Sequence, residues 1–126
     1  MKTLILALSL SLAGLPMAMP LLSSSAYAAA VQSALGDLST YEVIAEDTLV
    51  LVKTGDMTAA QKRITDFEGA WDASESVLYH KDKNAWGVVD DAADAAITAL
   101  RASNPDQAQA ASAVSALIAA LQNPAM

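Results

Sequence analysis

From Ala60 to Leu78 the apolar and small residues fall at Ala60, Ile64, Phe67, Trp71, Ser74 and Leu78. The steps alternate four and three, the repeat of one buried face of an α-helix. A segment held to this register cannot also serve as a strand, whose faces alternate every second residue. The face carries Phe67, the only phenylalanine, and Trp71, one of two tryptophans. This helix therefore brings much of the aromatic bulk to a small core.

Three further segments keep helical spacing. Upstream, Val31, Leu35, Leu38, Tyr41, Ala45, Thr48, Leu49 and Val52 predict a helix over 31–53. Gly36 weakens its first turns, which allows a start near Leu38. Gly55 suits the left-handed position after that helix, and Asp56 caps the Ala60 helix, expected over 57–79. The turn His80-Lys81-Asp82-Lys83 follows, with Asp82 as the next cap. The third helix, 83–102, is expected to bury Trp86, Val89, Ala93, Ile97 and Leu100. Ser103-Asn104-Pro105 reads as a boundary, with Asn104 capping and Pro105 in the first helical position. The fourth helix, 105–121, is expected to bury Ala108, Ala111, Val114, Leu117, Ile118 and Leu121. Its other face is alanine, serine and glutamine, so it either packs on two sides or allows a close approach of another domain. Residues 123–126 read as a tail.

No segment alternates with period two over a strand-like length. Four helices with short connections predict an all-α fold, an antiparallel up-and-down four-helix bundle.

The first residues read as a cleaved leader. Lys2 precedes an apolar, uncharged run from Leu4 to Leu22, and Ala26-Tyr27-Ala28 is an A-x-A cleavage pattern. Cleavage after Ala28 would leave residues 29–126 as the helical domain, periplasmic or secreted. An uncleaved membrane anchor is the rival reading, since the run approaches spanning length. Pro16, Pro20 and the A-x-A site argue against it. The chain has no cysteine, so export brings no disulfide to a small core, which must be stabilised by packing or association.

Seven Lys and Arg stand against fourteen Asp and Glu, a formal net charge of −7. Lys2 is the only charged residue of the leader, so the domain itself is more negative still. That excludes nucleic acid and a basic membrane-surface patch as partners. Metal ions and cationic protein segments stay open, beside plain solubility.

The acids are ordered. Glu68, Asp72 and Glu75 each follow a core residue by one, and none has a basic residue three or four positions away. Like charges at this spacing cost a few tenths of a kcal/mol per pair. Glu42 and Glu46 follow Tyr41 and Ala45 in the same way, and Asp90 and Asp94 follow Val89 and Ala93. Asp66, by contrast, has Lys62 and Arg63 in reach. In an antiparallel bundle the flank reverses sense from helix to helix. The stripe of the second helix should then share a groove with one neighbour: Glu68, Asp72 and Glu75 with either Glu42 and Glu46 or Asp90 and Asp94. Such a groove is a candidate site for a divalent cation or a basic segment. A solvated acidic flank is the plainer alternative. A di-iron centre is excluded, because His80 is the only histidine and no Glu-x-x-His motif exists.

Catalytic sets are missing as well. There is no cysteine, no G-x-S-x-G and no glycine-rich phosphate loop. Trp71, Trp86 and Tyr41 hold core positions. Tyr79 and His80 end a helix, where His80 complements the helix dipole or serves as a contact tip.

The run Gly55-Asp56, Ala60, Asp66-Phe67-Glu68, Trp71-Asp72, Glu75, Leu78, Asp82, Trp86, Val89-Asp90, Asp94 and Ala99-Leu100-Arg101 resembles a group of small exported bacterial helical proteins of unassigned function. It covers about residues 40–121. The shorter pattern of Gly-Asp, Ala, Phe-Glu and Glu-x-x-Leu is similar to the extracytoplasmic helical region of iron-permease family proteins. That resemblance implies metal handling around the acidic groove. The permease membrane domain has no counterpart in these residues, so transport is not carried over. The expectation is a non-enzymatic binding module, an accessory to metal uptake or sensing. The alternative is a structural module that forms a homodimer through the fourth helix.

Overall fold

The computed structural model describes residues 33–124, which form four α-helices packed on one another. These are α1 Ser39–Lys53, α2 Met57–Lys81, α3 Lys83–Arg101 and α4 Gln107–Gln122. No strand occurs among the described residues. The leader and its cleavage site lie outside them, as does Val31. Each helix packs against the next in the chain, and α4 also packs against α1, so the four close into a ring.

Local chemistry sets most boundaries. Gly36 and Gly55 both have positive φ, +90° and +83°. Gly36 ends the turn from Ser33 and α1 begins three residues later, so the helix is shorter than 31–53. Gly55 closes α1: its N–H donates to the Val52 carbonyl and that of Asp56 to Leu51, both at 3.0 Å, a Schellman closure. The Asp56 carboxylate then accepts from Ala59 N at 3.0 Å and starts α2.

Between α2 and α3 stands only Asp82. Its backbone is extended, its N–H donates to Leu78, and its carboxylate accepts from Ala85 N at 2.9 Å. One residue thus ends one helix and caps the next. Asp82→Ala is expected to cost about 0.5–2 kcal/mol. A urea melt would show this as a lower midpoint with an unchanged slope.

The cap of α4 differs from expectation. Asp106, not Asn104, accepts from Gln109 N at 2.7 Å, and the helix begins at Gln107 rather than Pro105. An ionised carboxylate is the stronger acceptor at a helix N-terminus and also complements the dipole.

The expected α2 face is buried at Ala60, Ile64, Phe67, Trp71 and Leu78, with Ser74 half-buried. Leu35 and Leu38 are buried just ahead of α1, and Ile44, Ala45, Thr48 and Val52 along it, while Tyr41 and Leu49 pack on the core edge. On α3 the fully buried positions are Ala85, Val89, Ala93, Ala96 and Leu100. Trp86 and Ile97 are only partly covered. On α4 they are Ala110, Val114, Leu117, Ala120 and Leu121. Ala108 is exposed and Ala111 and Ile118 are half-buried. Two successive steps of three back from Val114 to Ala108 drift about 120° round the helix, off the buried face. The step of four to Ala110 stays on it. Pro124 is fully buried, so the expected tail is anchored at least that far.

Two glutamines join helix ends. Gln61 Nε2 donates to the Leu100 carbonyl at 2.7 Å, and Gln107 Nε2 to those of Val52 and Lys53 at 2.9 and 3.2 Å. Each satisfies carbonyls that the last turn of a neighbouring helix leaves open.

Candidate functional site

The rings of Tyr41, Phe67, Trp71 and Trp86 form a continuous ladder through the core. Trp71 lies edge-on to Tyr41 at 5.3 Å and stacks on Phe67 at 6.0 Å and on Trp86 at 6.2 Å. Tyr79 meets the outer side of Trp86 at 5.4 Å. Phe67 and Trp71 are core residues, as their register predicts, while Tyr41 and Trp86 are partly buried against that core. The ladder reaches the acidic flank at one point: Trp71 Nε1 donates to Asp90 Oδ1 at 3.1 Å, from α2 to α3.

Around that bond the α2 stripe divides. Glu68 has a cationic partner that helix spacing does not reveal: Arg101, in the last turn of α3, grips both its carboxylate oxygens and also donates to Thr65 Oγ1 at 3.2 Å. Arg63 joins Asp47 of α1 at 2.7 Å and Asp66 at 3.3 Å. No ion pair reaches Asp72, Glu75, Asp90 or Asp94 among the described residues.

Asp90 is half-buried, and loss of hydration pushes its carboxyl above the usual range. The Trp71 bond opposes that, while the charges of Asp94, Asp91 and Glu75 add to it. Glu75 of α2 and Asp90 of α3 therefore feel one another across the seam. Glu42 also stands above the usual range, from burial first and then from Glu46 and Asp37. It lines a separate hollow with Asp37, Ser39, Leu121 and Gln122, towards the end of α4. Of the two sets left open by the sequence, only Asp90 of α3 is linked to the α2 stripe, through Glu75.

The five carboxylates do not share one trough. Asp72 and Glu75 line a shallow hollow with Ser76, Tyr79 and His80. Asp94 lines the α3–α4 groove with Thr98, Ala99 and Gln109. Glu68 is taken up by Arg101. Among the described residues no three His, Asp or Glu side chains come together as a group that could hold a metal ion. The expected groove of Glu68, Asp72 and Glu75 with either pair is thus not gathered for coordination.

At the tip, Lys83 Nζ lies 5.7 Å from the centre of the Tyr79 ring and the His80 ring sits 5.9 Å from it. Lys81 Nζ approaches the Leu35 carbonyl at 3.4 Å. Lys81 thus ties the end of α2 to the segment ahead of α1. No described helix is long and apolar enough to cross a membrane.

No family model matches the chain. No curated protein and no solved structure compared with it gives a match either. The two resemblances drawn above therefore rest on their residue patterns alone.

Proposed function

We propose that the chain is an exported, non-enzymatic binding module whose α2–α3 seam takes a lysine- or arginine-rich segment of a partner protein. The carrying observation is the contrast among acids. Glu68, Asp47 and Asp66 are neutralised by guanidinium groups, whereas Asp72, Glu75, Asp90 and Asp94 are not. Ionised carboxylates only accept hydrogen bonds, so ammonium and guanidinium groups are their complements. Acids spread along two helices suit an extended cationic segment better than a single ion, which needs its ligands at one point.

The architecture we infer is the antiparallel up-and-down bundle. In support, Gln61 near the start of α2 meets Leu100 at the end of α3, and Gln107 at the start of α4 meets Val52 near the end of α1. Export rests on the leader pattern at residues 1–28.

The test is titration with an oligolysine peptide at low salt, followed by tryptophan emission. The combined variant Asp72→Asn and Glu75→Gln is expected to weaken binding at least about tenfold, and salt to weaken the parent similarly. Equal binding by parent and variant would refute the seam. A melting temperature raised by millimolar calcium or manganese, with no peptide binding, would transfer the site to a metal ion.

A second reading has its own observation. From Gln107 to Gln122 α4 carries no charge, and Ala108, Ser112, Ser115, Ala116 and Ala119 are exposed along it. It is the one helix on which a second acidic copy would meet no opposing carboxylates. Sizing of the parent against Ser115→Glu separates this reading: a dimer abolished by the variant supports self-association.

A further inference from the structure

We propose that Trp71, Trp86 and Tyr79 form a conduit for one-electron oxidation: an electron vacancy created in the core passes from ring to ring to the phenol of Tyr79, with Asp90 taking the indole proton of Trp71 on the way. No partner protein on the acidic seam takes part.

Composition leaves these rings as the groups that oxidation reaches. Sulfur side chains ordinarily absorb it. The chain has no cysteine, and Met57 is the one methionine among the described residues. Indoles and phenols are the next most easily oxidised side chains, and here they touch. Trp71 and Trp86 lie 6.2 Å apart with their planes 12° from parallel, and Tyr79 meets Trp86 at 5.4 Å. The series starts in the core, at a residue 2% exposed, and ends on half-buried Tyr79, which lines a surface hollow with His80.

Proton acceptors give the series a direction. A neutral indole only donates, and loss of an electron makes its N–H strongly acidic. Trp71 Nε1 already donates to Asp90 Oδ1 at 3.1 Å. Oxidised Trp71 therefore passes its proton to the carboxylate along an existing bond and becomes a neutral radical. Trp86 differs. Its Nε1 is closed to solvent and has no acceptor among the described residues. Oxidised Trp86 keeps its positive charge in surroundings that stabilise charge poorly, so it is a relay and not a resting place. Tyr79, at the hollow, can lose its phenolic proton to water. Lys83 Nζ, 5.7 Å from the centre of the Tyr79 ring, opposes a positive charge there, so oxidation of that ring goes with loss of the proton.

A one-electron oxidant, an outer-sphere metal complex or a free radical, takes one electron from Trp71, and Asp90 takes the proton. An electron from Trp86 then refills Trp71, and Asp90 returns the proton. An electron from Tyr79 refills Trp86, and the phenolic proton leaves to water. The net change is Tyr79 phenol to phenoxyl, one proton released and the oxidant reduced by one electron. A donor of one electron and one proton, of the phenol or enediol class, restores Tyr79. Both core indoles end unchanged.

The experiment is flash photolysis of the full chain with a tris(bipyridine)ruthenium photo-oxidant, a cation drawn to the negative surface. Tyr27→Phe and Tyr41→Phe form the background, which leaves Tyr79 as the only phenol and removes the competing ring 5.3 Å from Trp71. In that background the indolyl absorption is expected to decay as the phenoxyl absorption rises, at one shared rate. Adding Trp86→Phe, a change at the core edge whose folding circular dichroism checks, should uncouple the two, with the Trp71 signal outliving the phenoxyl rise. Adding Asp90→Asn keeps an acceptor for Trp71 but takes up no proton. It should turn the first indole signal from neutral radical to radical cation, a change that a merely structural contact would not produce. A shared rate that survives Trp86→Phe would overturn the proposal. So would an unchanged neutral indolyl signal in Asp90→Asn.

Discussion

Trp71→Ala is expected to destabilise the fold by about 3–5 kcal/mol, the range for removing a large aromatic from a packed core. Three losses combine. The indole leaves a void between α1 and α3, because it touches Tyr41 on one side and Trp86 on the other. The stack with Phe67 is lost, and such aromatic pairs are worth about 0.5–1.5 kcal/mol beyond their area. Asp90 loses the one donor that favours its ionised form. Small domains hold only about 5–15 kcal/mol in total, so this single change consumes a large part. The melting temperature should fall by more than roughly 12 °C. Trp71→Phe keeps most of the bulk and should cost clearly less. A Trp71→Ala loss below about 1 kcal/mol would mean that the ladder does not support the core.

Leu117→Ala is expected to cost about 2–5 kcal/mol, nearly as much from a far plainer helix. Alanine and serine dominate α4, and its large buried side chains are Val114, Leu117 and Leu121. Removing one of three leaves little apolar area to hold α4 against both α1 and α3. The loss should be uneven. Amide exchange in α4 should speed up more than in α2, because α4 can detach locally while the aromatic ladder keeps the other three helices together. Uniform acceleration across all four helices would show instead that the ring opens as one unit.

The two variants probe the parts of the fold that could be read from the chain to different degrees. Every position named for the α2 face is buried or half-buried, because the spacing there runs without a break and the residues are large. The α4 face was harder to read: alanine fits both the core and the surface, so Ala108 and Ala110 look alike until the helix is packed. Trp86 is a related case, large enough to be assigned to the core yet seated at its edge. Caps followed the same rule. Asp56 and Asp82 were legible because each stands alone at its boundary, whereas Asn104, Pro105 and Asp106 offered competing starts to α4.

The acidic flank shows where local reading ends. Counting three and four residues along a helix finds Arg63 beside Asp66. It cannot find Arg101 beside Glu68, 33 positions away, or Asp90 beneath Trp71, 19 positions away. The same applies to the glutamines that close the ends of neighbouring helices, 39 and 55 positions distant.

The chain alone determined its helices, the aromatic face of α2 and its excess of carboxylates, because these depend on backbone propensity and on neighbours within one turn. Only packing decided which carboxylates are neutralised, which one is half-buried against an indole, and that Asp94 lies in a different hollow from Asp72 and Glu75. Those outcomes depend on how far each helix is rotated against the next, a few tens of degrees that no residue spacing encodes and that the fit of all the buried side chains sets together.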